Sequence, residues 1–430
     1  MLRITGYSDK YSVCPGDNVK FYVNSEKNEN YSVDIVRLIH GDTNPDGPGF
    51  KEKIIRAACN KEYKGKNQKI HGGSYACVQP DHRMDVSSFT LQAFIFPTTP
   101  DKGVQGIITK WVGPKQSGFG MFIDENGCLA CWIGNGKGQV VKVSSGKPLL
   151  RKVWYMAAVS YDAKSKRVKV IQEPVVTPTN GGLGLSMLHP SSATTGMISQ
   201  VVKVKPAMNN APLLMAANTK RLSSGRYVKG GHYKEALSEF PLPEQEAVYN
   251  GKIDRPRFSS AALDKHSIDA LARGFTTCPA ELRSLVIAAW DFHANISDNI
   301  ASCQIIDTSP NKLDGFVINL PVRGMTGFNW TSDDIVYHHA PNEYGAIHFH
   351  DDDIDDARWD ESFSYTIPKK LKSGVYGARL RIQGKESPET EDYVPFFVRP
   401  PAGTATAKVC FIVPTNSYLA YSNDNLATNS

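Results

Sequence analysis

Phe89-Thr90-Leu91-Gln92-Ala93-Phe94-Ile95-Phe96 is followed by Gly106-Ile107-Ile108-Thr109-Lys110-Trp111 and then by Phe119-Gly120-Met121-Phe122-Ile123-Asp124. Short apolar and aromatic strands at regular spacing, punctuated by glycine turns, indicate a β-sandwich. The same texture continues through Trp154 to Asp162 and Arg167 to Ile171. It returns at Tyr249-Asn250-Gly251-Lys252-Ile253-Asp254-Arg255-Pro256-Arg257-Phe258, ahead of a short helical segment, Ala261 to Gly274. Leu285 to Asp291 reads as another buried strand, and Asp307 to Gly315 as a turn-rich continuation of the same sandwich. Apolar patterns of helical period are scarce, so residues 1 to 400 are expected to be almost entirely β.

This strand order, with Trp-Tyr opening one strand and Gly-x-Ile-Asp opening a late one, resembles the laminin-G/concanavalin-like jelly roll. Upstream, Val19, Phe21 and Val23 alternate with polar neighbours, Val33 and Ile35 repeat the alternation after a polar turn, and Pro15-Gly16-Asp17 supplies a turn between strands. These segments read as the opening of an immunoglobulin-like sandwich. Downstream, Ala346 to His350, Phe363 to Pro368, Gly374 to Leu380 and Tyr393 to Val398 are expected to be strands of a second small sandwich, completed by the N-terminal strands. The expected organisation is therefore 1–65 and 335–400 as Ig-like strands flanking a jelly roll at 66–334. A Pro400-Pro401-Ala402-Gly403-Thr404 linker then precedes a further domain beginning over 405–430. In that last stretch Val409 to Val413 is an uninterrupted apolar run, expected to be a strand covered on both faces as in a parallel α/β sheet. Ligand sites in such sheets lie beyond the carboxyl ends of strands, which is where Tyr418 and Tyr421 fall.

The chain has 430 residues, 41% of them hydrophobic, which suits two or three well-packed domains. Its 49 basic and 43 acidic residues leave a formal charge of +6 without any basic stripe interleaved with aromatics. Nucleic acid and anionic membrane surfaces are thus not expected partners. The first residues lack the apolar core and cleavage site of a signal peptide, and no apolar run approaches the ~20 residues that span a bilayer, so a cytoplasmic location is expected. Among eight cysteines, Cys128 and Cys131 form the one close pair. Their odd separation in a strand-like segment puts them on opposite faces, favouring buried reduced thiols over a zinc or redox motif. The sequons Asn295-Ile296-Ser297 and Asn329-Trp330-Thr331 carry no meaning in a cytosolic protein.

His348-Phe349-His350-Asp351-Asp352-Asp353-Ile354-Asp355-Asp356 is the most metal-like string, since His348 and His350 share one strand face ~7 Å apart. A metal site needs ligands converging from several segments, and a run of like charges more often lies on an exposed loop or at an interface. Trp111, Trp132 and Trp154 are candidate sugar platforms, although tryptophans in sandwich strands more often belong to the core. No nucleophile elbow, P-loop, His-Glu-x-x-His or dinucleotide fingerprint is present. Tyr418 and Tyr421 are open to two readings: rings packed at a strand end, or phenolates that ligate a hard cation such as ferric iron, whose charge would draw the phenol pKa far below ~10.

Several blocks occur in one order: Arg37-Leu38-Ile39-His40-Gly41-Asp42-Thr43-Asn44-Pro45, Asn319-Leu320-Pro321-Val322-Arg323-Gly324, Thr326-Gly327-Phe328-Asn329-Trp330, the His348 to Asp356 string and Ser417-Tyr418-Leu419-Ala420-Tyr421. Together with the jelly roll they resemble the N-terminal portion of the large (beta) subunit of the N,N-dimethylformamidases. The resemblance implies an iron-dependent amidohydrolase that splits dimethylformamide, a small amide, into dimethylamine and formate. It also implies a small-subunit partner, dimerisation of the large subunit, and a catalytic domain resembling the class I glutamine-amidotransferase α/β fold, of which 405–430 would hold the first strand. A mononuclear ferric ion is held in that family by two tyrosines and a glutamate. The tyrosine of its Tyr-x-x-Tyr segment corresponds to Tyr421, with Tyr418 as the alternative. The other ligands and the catalytic residues are expected beyond residue 430, so that the 430 residues alone should be inactive. The competing expectations are a non-catalytic carbohydrate- or calcium-binding jelly-roll module and a structural arm for subunit assembly.

Overall fold

The computed structural model describes residues 2–175, 194–222, 242–294, 296, 303–384 and 387–421. They fall into two compact units, one spanning Met1–Ile70 with Arg358–Ser430 and one spanning His71–Ala357. The described residues are mainly β, and no described helix is long and apolar enough to cross a membrane.

In the smaller unit the strands Ile4–Ser8, Asn18–Ser25 and Phe363–Thr366 form a three-stranded antiparallel sheet. A second sheet runs in the order Ser12–Val13, Glu391–Val398, Gly374–Ile382, Tyr31–His40, Lys51–Ile54, with Glu62–Tyr63 also paired to Tyr31–His40. Both sheets feed one core. The two-residue period of a strand sends Val19, Phe21 and Val23 inward from one sheet and Val33, Ile35, Ala378, Leu380 and Phe396 inward from the other. Phe21 stacks on Phe363 with ring centroids 4.8 Å apart and meets Phe396 edge-on. The turn at Pro15-Gly16-Asp17 closes as its residues dictate, with Gly16 at φ +98° and the Asp17 carboxylate accepting the Cys14 N–H at 2.8 Å. Beneath the second sheet the buried Arg379 donates to Asp34 at 2.6 Å and also to Glu52.

In the larger unit one sheet runs in the order Val140–Pro148, Cys128–Asn135, Ser117–Ile123, Gln105–Val112, Leu213–Met215, Tyr75–Val78, Gly315–Ile318, Gln304–Ile305. The other runs Gly196–Val201, Arg167–Pro174, Tyr155–Asp162, Phe89–Pro97, Gly251–Ser259, Ala346–Phe349, Val322–Met325, with Val286–Ala289 added beside Gly251–Ser259. The core lies between the sheets, where Phe89, Leu91, Ala93 and Ile95 oppose Phe119, Met121 and Ile123, and the Phe89 and Phe119 rings stack at 4.1 Å. This is a jelly-roll sandwich. The opposite face of the second sheet is apolar only in part: Phe94, Trp154, Met156, Ala158 and Ile171 are covered by Ile268 and Leu271 of the helix Lys265–Arg273. That helix starts where Asp264 caps it, accepting the Ser267 N–H at 2.8 Å.

Three expectations are corrected. Ala346–Phe349 belongs to the jelly roll, not to the small sandwich, because its backbone pairs with Gly251 to Asp254 in the register Gly251↔Phe349 to Asp254↔Ala346. Val409 to Val413 forms no strand: Val409, Phe411 and Ile412 are 83%, 77% and 85% exposed. A strand of a parallel sheet takes its backbone partners from neighbours on either side, and no described strand flanks this one. Tyr418 and Tyr421 therefore do not sit at a strand end. Trp111 and Trp154 are buried, and of the three tryptophans only Trp132 is half-exposed. All eight cysteines are free thiols, and Cys131 lies in the core, where burial pushes its thiol pKa far up. Of the two sequons, Asn295 and Ser297 lie outside the described residues, as do residues 422–430 of the last expected domain.

Candidate functional site

Tyr418 lies in the six-residue helix Thr415–Ala420, and Tyr421 ends it, its N–H donating to the Ser417 carbonyl at 3.1 Å. Both side chains face solvent, 47% and 69% exposed. A phenolate ligand needs a second and a third donor around the same point. Among the described residues no group of three or more His, Cys, Asp or Glu side chains is placed to hold a metal ion. The two candidate tyrosines are thus not brought together with other ligands.

The His348 to Asp356 string is used internally. His348 and His350 do share a face, with ring centroids 4.0 Å apart. Burial, with smaller contributions from His350 and Lys252, pushes the His348 pKa down to about 4, so its imidazole is neutral at physiological pH, and its Nε2 has no hydrogen-bond partner among the described residues. His350 Nδ1 lies 3.2 Å from the Asp353 carboxylate, which also accepts the Ser74 hydroxyl at 2.6 Å. Asp351 accepts from Lys102 Nζ and from Asn250 Nδ2, each at 2.6 Å. These carboxylates fasten the segment after Ala346–Phe349 to the jelly roll rather than converging on a vacant point.

A buried acid of raised pKa lies elsewhere, at Asp254, 1% exposed on the strand Gly251–Ser259. Burial pushes its pKa up to about 6, against the opposing pull of Arg255 and Arg257. Among the described residues neither carboxylate oxygen receives a well-aligned hydrogen bond, although the Phe328 N–H lies near enough to lower the pKa slightly. Two glycines make room for it. A Cβ on Gly327 would stand 2.5 Å from Oδ2, and one on Gly345 would stand 3.1 Å from Oδ1. Asn329 Oδ1, also buried and without a partner among the described residues, lies 3.0 Å from that same Gly327 position. The strand is irregular here: its register shifts between Asp254 and Arg257, and Arg255 takes a φ of +47°, costly for a side-chain-bearing residue. Beside it Arg257 is tied to Asp291 at 2.8 Å and to the Trp290 carbonyl at 2.6 Å. Sequence reasoning quoted both Gly251-Lys252-Ile253-Asp254 and Thr326-Gly327-Phe328-Asn329-Trp330 without joining them. The available signal was Gly327 in a block otherwise rich in aromatics.

Trp132 is no open platform. The Lys142 ammonium sits 3.8 Å from its ring centroid, and Phe122 stacks on it at 4.3 Å.

Residues 322–426 match the family described as N,N-dimethylformamidase beta subunit-like, C-terminal, and residues 71–172 match the concanavalin A-like lectin/glucanases superfamily. The N,N-dimethylformamidase beta subunit of Alcaligenes sp is 36% identical over 434 residues, covering 99% of this chain and 53% of its own length. That of Paracoccus aminophilus is 36% identical over 430 residues, again covering 99% of this chain and 53% of its own length. The chain spans about half the length of the curated relatives it matches. Among solved structures, a Bacteroides ovatus protein aligns at 12% identity over 73% of this chain and 95% of its own, with a TM-score of 0.35. The SAP-like pentraxin of Limulus polyphemus aligns at 11% over 56% and 82%, with a TM-score of 0.27.

Proposed function

This chain is a relative of the N,N-dimethylformamidase beta subunits along nearly all of its length, and on that premise we propose that it forms part of the large subunit of a cytoplasmic amide hydrolase. The observation that carries the proposal is the 36% identity that extends over 99% of the chain and so through both units. Eight unpaired thiols suit a reducing compartment. The proposed substrate is N,N-dimethylformamide, hydrolysed to dimethylamine and formate, in an assembly with a small subunit and a second copy of the large one.

A mononuclear ferric ion belongs to the same proposal, with Tyr421 as one ligand and Tyr418 as the alternative. A hard Lewis acid suits this reaction, because an amide carbonyl is a poor electrophile. A single exposed phenol does not make a site, however. The described residues do not close a ligand set around either tyrosine, so the remaining donors would have to come from outside them. What these residues contribute is two β units, the smaller of which carries the Tyr418–Tyr421 segment. By themselves they offer no charged or nucleophilic pair poised for amide hydrolysis, and the 430 residues alone are expected to be inactive.

In the complete enzyme Tyr421→Phe removes one oxygen from an exposed side chain, so thermal unfolding should be unchanged while bound iron and dimethylamine release fall together. Losing one direct ligand should cost iron affinity at least the 10- to 100-fold typical of an outer-shell substitution. Tyr418→Phe should be milder. If Tyr421→Phe keeps its iron and Tyr418→Phe loses it, the ligand is Tyr418. If both keep iron and activity, neither tyrosine binds the metal.

A further inference from the structure

We propose that the larger unit carries an oxyanion-binding hollow on the outer face of its second sheet, remote in sequence from the Tyr418–Tyr421 segment and independent of the amide chemistry. Beyond the half of that face covered by the helix Lys265–Arg273, the strands Tyr155–Asp162 and Arg167–Pro174 leave a depression of about 500 Å³. Small hydroxyl residues give it depth. Ser88, Ser160, Ser165 and Ser260 line it together with Arg167 and Lys169, and Ala261 and Ala262 form one wall. The floor and that wall are fixed to each other through Thr90, whose hydroxyl donates to the Ala261 carbonyl at 2.7 Å and accepts the Leu263 N–H at 2.9 Å.

Register places the donors side by side. Ser160 pairs with Lys169 and Asp162 with Arg167 across the two strands, and strand alternation sends all four to the outer face while Val159, Tyr161, Val168 and Val170 enter the core. Asp162 is the carboxylate that could neutralise the pair, but it is already engaged. It accepts the Ser165 hydroxyl together with the Ser165 and Lys164 N–H groups, and these bonds hold its pKa below the usual carboxylate range. Arg167 spends one N–H on the Ser199 hydroxyl at 3.0 Å, which leaves most of its fork available. Among the described residues neither the Lys169 ammonium nor the Ser160 hydroxyl has a hydrogen-bond partner. Asp264 also lies within electrostatic reach of Lys169, and one of its oxygens caps the helix. A 2%-exposed serine beside an uncommitted ammonium and a guanidinium offers convergent donors and an excess of positive charge. That is the chemistry that receives a carboxylate or phosphate group.

Titrating inorganic phosphate, and separately acetate, into the complete enzyme at constant ionic strength tests the assignment by calorimetry. Saturable binding is expected, weakened at least tenfold in Lys169→Gln and in Arg167→Gln and unchanged in Lys137→Gln, which alters an exposed lysine of the same unit. Tighter binding of phosphate than acetate would mark a phosphate-bearing ligand, and the reverse a carboxylate. Thermal unfolding of the variants distinguishes lost binding from lost folding, and a Lys169→Arg variant should restore most of the affinity. Absence of saturable binding of either anion, or equal weakening by Lys137→Gln, overturns the assignment.

Discussion

Asp254 shows how a single residue can carry both a cost and a clue. Its folded-state pKa of about 6 stands above the unfolded value near 4, so ionising it opposes folding. The sign follows: its favourable contribution is complete below pH ~4 and is lost as pH rises through about 6. At pH 7 and above the penalty is about 2–3 kcal/mol for this fully buried group. Asp254→Asn, which cannot ionise, should therefore gain stability relative to the native chain between pH 4 and 7, and the gain should level off above that. Denaturant unfolding of the larger unit across pH 4.5–8 checks it, and a pH-independent difference would sink the argument. In the smaller unit, Arg379→Leu leaves Asp34 and Glu52 facing each other without their shared cation. It should cost about 1–2 kcal/mol, because removing the cation leaves two like charges side by side, partly screened by water at the half-buried carboxylates. Neither residue stood out in the sequence. The geometry that isolates Asp254 comes from Gly327 and Gly345, contributed by segments far along the chain.

At the scale of elements, what the sequence states clearly is periodicity, and what it leaves out is pairing. Val19, Phe21 and Val23 alternate in the chain and alternate in the sandwich. The helix expected over Ala261 to Gly274 occupies Lys265–Arg273, its start set by the Asp264 cap. Asp264→Ala should cost about 1 kcal/mol, measured as a lowered unfolding midpoint of the larger unit. Ala346–Phe349 has the pattern of a buried strand in either sandwich, and only its hydrogen bonds to Gly251–Asp254 assign it to the jelly roll. Val409 to Val413 fails for the opposite reason: an apolar run specifies a buried strand only where other strands are there to bury it. Its amides should exchange with solvent at unprotected rates in the 430-residue chain, and strong protection at Phe411 and Ile412 would contradict the exposed conformation.

At the scale of the whole molecule, the mainly β architecture with a jelly roll was legible because regular strand spacing and glycine turns are local signals. The candidate metal site was legible only as a resemblance, since Tyr418 and Tyr421 stand exposed and, among the described residues, no group of three or more His, Cys, Asp or Glu side chains is placed to hold a metal. The relation to the N,N-dimethylformamidase beta subunits supplies the functional proposal that no constellation of described side chains supplies alone. The most direct test is to purify the full-length protein containing this chain together with the proposed small subunit, supply N,N-dimethylformamide, and quantify both products. The proposal predicts dimethylamine and formate released in equal amounts, at a rate proportional to bound iron. An iron-loaded, folded assembly that releases neither product would contradict it.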